Sequence, residues 1–514
     1  MASASLIDPA DVQGLVRFAY SRHTEACYLL VRVRDAAAAR AWCATAPVAT
    51  AEIQAAPPRT ALQIGFTFPG LRSLGLPPEV LSGFSAEFQT GMAREPNRSR
   101  RLGDVGQSAP ENWDWGAAQN VPDAVLMLFA FPGMLLEFTA AVQDSAFHDA
   151  FDVIKRLDTV DLAGYEQFGF KDGISQPQID WEATLDVSTP RVDYNNVSAA
   201  GEFLLGYTNE YGKYTDRPLT GSNDSRAADL LPALDAPQKK DIGRNGTFVV
   251  IRTLEQDVRG FWRFLDRQTG SEPGARQQLG EKMVGRAIDG DPLAPGSSSP
   301  IPGIPAGAKY DQNRFTYAGD AAGTHCPFGA HIRRANPRNT DFPDRPTWWL
   351  PRVLSKLGFG SRDFRSDIMA STRFHRLIRR GREYGAGKLS PQQAVDDPLP
   401  PPGRGDERGL HFVCLAANIN RQFEFVQNAW LMSTKFNGLA GESDPLLGNR
   451  SPIGDSRSTD NFTVPGASGL ARCISGLPRF ITVRGGAYFF MPGIRALRYF
   501  SRLGESADKI RRIS

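Results

Sequence analysis

Residues 27–34, CYLLVRVR, make an apolar run of strand length, and an alanine-rich helical stretch follows at once through about Ala46. The same order of elements returns along the chain. TALQIGFTFPGLRSLGLP reads as strand, turn and short helix, and PPEVLSGFSAEFQTGMA continues helically. DAVLMLFAF at 123–131 is a second strong strand, and GMLLEFTAAVQDSAFHDAFDVIKRL at 133–157 reads as a helical run. Later, GTFVVIRTLEQDVRGFWRFLDRQ and GLHFVCLAANINRQFEFVQNAWL each read as strand then helix. No Gly-rich phosphate loop opens any of these helices, so the alternation favours an α+β sandwich over a nucleotide-binding fold. Two related α+β halves are expected, although no clean sequence repeat joins them. Stretches at 291–307 and 396–409 are rich in Pro and Gly and read as surface excursions.

The bulk numbers narrow the class. A chain of 514 residues can hold two large domains or more. Its 59 basic and 56 acidic residues leave a net charge of +3, without the basic excess of a dedicated nucleic-acid binder. The basic end KIRRIS, from Lys509, reads as a solvated tail. No window approaches the roughly 18 uninterrupted apolar residues of a membrane span, and the N-terminus carries no export signal. Five scattered cysteines without a CxxC suggest buried thiols in a reducing compartment rather than a disulfide framework or a zinc site. The expected location is the cytoplasm, with export without a leader left open.

Three segments hold residues able to do chemistry. Asp172 lies in EQFGFKDGISQPQI (166–179), where Asp-Gly is first of all turn chemistry. His331, one of six histidines, lies in THCPFGAHIRRANPR beside Arg333, Arg334 and Arg338. Arginine suits carboxylates, including those of a haem, whereas the plain reading is a structural histidine in a solvated basic turn. Arg379 lies in FHRLIRRGREYG, either aimed into a partly buried site or ending a helix. HExxH, GxSxG, Walker and GxGxxG elements are absent. Residue chemistry alone goes no further than this.

Taken together, these segments resemble the dye-decolorizing peroxidases, a family of haem enzymes. The family's GxxDG element matches Gly169-Phe170-Lys171-Asp172-Gly173, its haem-ligand segment matches CPFGAHIRRANPR, and its distal arginine matches Arg379-Arg380-Gly381 ahead of Tyr384-Gly385. IGFTFPGLRSLGLP, GTFVVIRTLEQDVRGFWRFL and RGLHFVCLAANINRQFEFVQNAW look like family segments in the expected order, so the resemblance covers most of the chain. By length it is similar to the larger bacterial and fungal members.

The resemblance implies an α+β protein of two ferredoxin-like domains (dimeric α+β barrel type), with haem in the C-terminal half. Residues 1–235 would form the first domain and contribute the loop at 169–173; residues 236–514 would form the second. One haem b per chain is implied, with His331 as iron ligand. Gly169, Gly173, Ile174, Ser175, Arg333, Leu410, Phe412 and Glu424 would surround it. Glu424 is the candidate acceptor for the other N–H of His331, with Glu442 or Asp444 as alternatives. Asp172 and Arg379 would be catalytic, acting on hydrogen peroxide, and Leu410 and Phe412 would limit entry to small peroxides. Gly169 and Gly173 would let the backbone pass closely over the haem.

Aromatic or dye-like reductants, too bulky for such a pocket, would donate electrons through aromatic side chains, Tyr384 among the candidates. A carboxylate base suggests activity in the acidic range, falling toward neutral pH. The alternatives are a haem-handling or haem-carrying protein with incidental peroxidase activity, and a haem-free protein that keeps the fold. No nucleic acid or membrane partner is expected, and the sequence sets no oligomeric state.

Overall fold

A computed structural model describes residues 7–185, 196–294, 311–313, 315–338, 372–398, 405–450, 459–466 and 469–504. The basic tail from Lys509 and parts of the loops at 291–307 and 396–409 lie outside the described residues. Among the described residues, nine strands form one large sheet. They are β1 (Glu25–Val33), β2 (Thr60–Phe66), β3 (Ala124–Ala130), β4 (Phe151–Asp158), β5 (Thr247–Gln256), β6 (Ile378–Arg379), β7 (Arg382–Gly385), β8 (Arg408–Ala416) and β9 (Ile481–Met491).

The order across the sheet is β6-β8-β5-β9-β2-β3-β1-β4, with β7 also pairing with β8, and neighbouring strands run antiparallel. The first four strands lie in the order second, third, first, fourth. The later strands repeat that order when β6 and β7 count as one element, as two ferredoxin-like units would. The fourth strand of the second set meets the second strand of the first at Phe490–Phe66. At the other end, just beyond β4, Val160 N donates to Glu383 O of β7 (2.8 Å). The sheet therefore curls until its two ends touch, which removes much of its open edge.

Both sheet faces are covered, which is why the strands read as continuous apolar runs. Successive side chains of a strand point to opposite faces. Leu30, Val125, Met127, Ile251, Val413 and Phe489 pack together on the inner face. Leu29, Leu126, Leu128, Val250, Cys414 and Phe490 belong to the cluster on the other face, with the helices. Helix Val258–Gln268 starts where the Asp257 carboxylate caps Gly260 N, and it buries Phe261, Trp262, Phe264 and Leu265. Truncating one such core side chain would cost about 2–5 kcal/mol.

Two expectations need correction. The 133–157 run holds helices Leu135–Val142 and Ser145–Ala150, but its last seven residues are strand. β4 alternates only weakly because most of its side chains face solvent, so its ladder with β1 decides its state. The closing strand β9, with Gly485-Gly486 inside it, also belongs to the sheet although its sequence was not singled out. No helix of the described residues is long and apolar enough to cross a membrane.

Candidate active site

The segment around Asp172 is a turn held from several sides. Tyr165 and Lys171 bridge its base, Gly169 N donates to Glu166 O (2.8 Å), and Asp172 N donates to Gly164 O (2.9 Å). Inside it, the half-buried Glu166 carboxylate accepts from Phe168 N (3.0 Å), Phe170 N (2.9 Å) and Gln256 Nε2 (2.8 Å). Burial pushes Glu166 up to about 7, against the pull of those N–H groups. Phe168 packs on Phe261, Phe170 stacks on Trp262, and Trp262 Nε1 donates to Phe168 O (3.0 Å). The helix core thus fixes the loop that carries the acid. Gly169 and Gly173 have φ of 99° and 73°, and a Cβ at Gly173 would meet nothing within 4 Å. These glycines satisfy backbone conformation; no neighbouring protein atom demands a close approach at Gly173.

Asp172 Oδ1 lies 2.9 Å from Arg379 Nη1, with the side chains 32% and 33% exposed. Arg379 is placed by the β6 pairing with Cys414 of β8 and by its N–H on Gln176 Oε1 (2.9 Å). Burial disfavours the Asp172 carboxylate, but the charge of Arg379, Gly173 N–H and His331 outweigh it, so the carboxyl lies below its ordinary value.

His331 starts the helix His331–Ala335, and its Nδ1 is 2.9 Å from Asp444 Oδ2. A carboxylate accepts only, so Nδ1 carries the proton and Nε2 keeps its lone pair. Asp444 is fully buried, and its Oδ1 accepts from Leu446 N (2.9 Å) and Leu447 N (2.8 Å). Burial works against its charge, yet His331 and those donors hold the carboxyl below its ordinary value.

Glu424 does not fill the acceptor role expected of it. Its carboxylate pairs with Arg98 Nε (3.0 Å) and Tyr488 Oη (2.9 Å), on another side of the π-helical segment that carries it. Of the alternatives, Glu442 takes Thr463 N (3.0 Å) and Asp444 takes the histidine.

Arg333 also departs from expectation. It is wholly buried, bonded to Asp320 and to Cys326 O (2.6 Å), and it braces the histidine helix instead of lining the cavity. Arg334 does the same through Trp430 O (2.7 Å) and Glu442 O (2.7 Å). Of the basic cluster, Arg338 is the one on the cavity wall, where Nη2 reaches Ser175 Oγ at 3.0 Å.

Asp172, Arg379 and His331 line one cavity of about 270 Å³. Of the residues expected around a haem, Ile174, Ser175, Leu410 and Phe412 line this cavity; Glu424, Arg333, Gly169 and Gly173 do not. Arg286 and Arg376, which the sequence did not single out, are on its wall too. Burial lowers Arg286 to about 10, assisted by Arg338 nearby. In the sequence Arg286 stands among glycines and apolar residues in VGRAIDG, and Arg376 shares the basic segment FHRLIRRG with Arg379.

No protein-family model matches the chain. Among curated proteins, the dye-decolorizing peroxidase of Exidia glandulosa is 27% identical over 523 residues, covering 96% of this chain and 87% of its own. The multifunctional dye peroxidase DyP2 of Amycolatopsis sp. is 27% identical over 454 residues, covering 85% and 81%. Among solved structures, a DyP-type peroxidase from the fungus Auricularia auricula-judae superposes with a TM-score of 0.71 at 24% identity, covering 97% of this chain and all of its own. The DyP-type peroxidase of Anabaena sp. does so with a TM-score of 0.68 at 21% identity, covering 96% and 94%. Along most of its length, therefore, the chain is similar to fungal and bacterial dye-decolorizing peroxidases and has the two-part ferredoxin-like α+β fold of the DyP-type structures.

Proposed function

We propose that this protein is a haem peroxidase that reduces hydrogen peroxide and oxidises dyes and other aromatic donors in one-electron steps, with one haem b per chain. The observation that carries the reading is the convergence of a charge-paired acid and an oriented histidine on one cavity.

The residues present suit haem. His331 keeps Nε2 for a metal, and Asp444 on Nδ1 raises its basicity as a ligand. No group of three or more His, Cys, Asp or Glu among the described residues could hold an ion by itself. A single histidine fits a metal whose other in-plane ligands come from a macrocycle. Leu446, Leu447, Phe423 and Val426 offer apolar wall, and Arg338, held by Asn313, Phe315 and Ser175, adds positive charge to it.

When bound, haem supplies the redox chemistry of O–O cleavage and of single-electron return. The chain handles the proton and the charge. Asp172 Oδ1 is held by Arg379, so Oδ2 is the atom to take a proton from hydrogen peroxide and return it to the departing oxygen as water forms. Arg379 stabilises the negative charge that grows on the separating oxygens. Leu410 and Phe412 line the same cavity as Asp172 and would limit entry to small peroxides.

Haem carriage alone would not need the Asp172–Arg379 pair, so the enzyme reading is preferred. The same reading keeps the two domains divided near residue 235 and places the protein in the cytoplasm, where its five free cysteines suit a reducing medium. The test is peroxide-dependent bleaching of an anthraquinone dye by haem-supplemented protein. A Soret band with bleaching supports the reading; no Soret band after supplementation sinks it.

A further inference from the structure

The cavity has a second charged station that the Asp172–Arg379 pair does not use. Phe412 of β8 faces Arg252 of β5 across the ladder, as Cys414 faces Val250, and Arg379 of β6 pairs with Cys414. Arg379, Phe412 and Arg252 therefore share one sheet face. Their backbones span two strand spacings, about 10 Å. Gly486 stands opposite Arg252 on β9, leaving room for the guanidinium.

Arg252 is 2% exposed and bonds Asp104 through Nη2, while its Nε and Nη1 have no hydrogen-bond partner among the described residues. Asp104 Oδ2 also lacks one. Half-buried Arg479 lines the same wall and spends Nη1 on Ser108 Oγ (3.0 Å). Glu166, also on this wall, has its carboxylate occupied by two backbone N–H groups and Gln256. Asp104 is taken by Arg252, and Arg479 has no ion pair among the described residues, so a guanidinium without its own carboxylate stands beside the apolar Leu254, Ile481 and Val483.

We propose that this wall binds the carboxylate of an aromatic carboxylic acid, with the ring on Leu254, Ile481 and Val483 and the carboxylate on Arg252 and Arg479. Resting on the peroxidase reading, it names a substrate class for that cavity: aromatic donors that carry a carboxylate. Buried N–H groups of guanidinium are costly without an acceptor, and a planar carboxylate matches their fork. The other source of such a carboxylate is a haem propionate, and the test separates the two.

Benzoate is titrated by calorimetry into haem-loaded wild type, Arg479→Gln, Arg479→Lys and Arg379→Leu, a measurement that needs no turnover. The expected result is a loss of about tenfold or more in benzoate affinity for Arg479→Gln, as for one charge-assisted hydrogen bond, with partial recovery in Arg479→Lys. In turnover, kcat/KM for 2,5-dihydroxybenzoate relative to hydroquinone should fall by a similar factor in Arg479→Gln. Absence of benzoate binding to wild type, equal affinity in Arg479→Gln, or loss confined to Arg379→Leu each overturns the proposal. Loss of haem from Arg479→Gln overturns it as well, assigning the cation to a propionate. Benzoate binding in a protein that oxidises no dye would uphold this site while the peroxidase reading fails.

Discussion

Arg379 Nη1 and Asp172 Oδ1 meet at 2.9 Å although 207 residues separate them in the chain. The pairing joins a two-residue strand to a turn, and neither element would hold its side chain alone. The strand is fixed by β8, and the turn by Phe168 and Phe170 in the helix core.

The first consequence concerns pH. Because Arg379, Gly173 N–H and His331 together outweigh burial, Asp172 stays ionised to below the ordinary carboxyl range. Its pairing contributes stability that is complete above the unfolded-state pKa and is lost as pH falls through the depressed folded-state value. The peroxide reaction should accordingly persist at acidic pH and fail only as Asp172 protonates. In Arg379→Leu, burial acts unopposed by that cation, so the acid limb should move to higher pH. Stopped-flow rates from pH 3 to 8 check the direction; an unmoved limb would mean that another group sets it. Asp172→Asn should slow the reaction by about 10²–10⁴-fold at every pH.

Asp444 makes a separable demand. Asp444→Asn keeps the shape but can no longer fix the His331 tautomer by accepting alone. Haem affinity should drop by about 10–100-fold, the usual effect of losing such a partner. Haem titration followed at the Soret band measures it, and unchanged affinity would remove Asp444 from the site.

Gly173 tests the turn independently of contacts. A Cβ there has open space but sits at φ 73°, so Gly173→Ala should cost about 1–2 kcal/mol from backbone strain alone. Trp262→Phe should cost about 1 kcal/mol by removing the bond to Phe168 O while keeping a ring under Phe170. Urea midpoints report both, and a neutral Gly173→Ala would mean that the turn relaxes.

Asp172, His331 and Arg379 were legible because each sits in a short segment whose wording is distinctive. The second ring of partners was not. Arg333 and Arg338 lie five residues apart in one basic run, and only the packing of Asp320 under the helix turns one inward and leaves the other on the cavity. The fold was legible where strands are apolar on both faces, as in β3. β4 was lost because exposure of residues 152–154 leaves no period-two signal, and its ladder partner lies more than a hundred residues away.

Glu424, on a π-helical segment, and Asp444, outside any helix, show how a side-chain role depends on the element that carries it. Both are buried acids in the chain that follows His331, but Glu424 faces Arg98, with the two side chains 7% and 5% exposed, and accepts from Tyr488, whereas Asp444 accepts from His331. Removing one member of a buried ion pair leaves the other charge without compensation, at about 3–5 kcal/mol. Glu424→Ala should therefore lower the denaturant midpoint strongly, whereas Asp444→Asn should act chiefly on haem affinity. The pair of variants gives opposite signatures. If Glu424→Ala loses haem while keeping its unfolding midpoint, the histidine partner is Glu424 after all and Asp444 only caps the turn at Leu446 and Leu447.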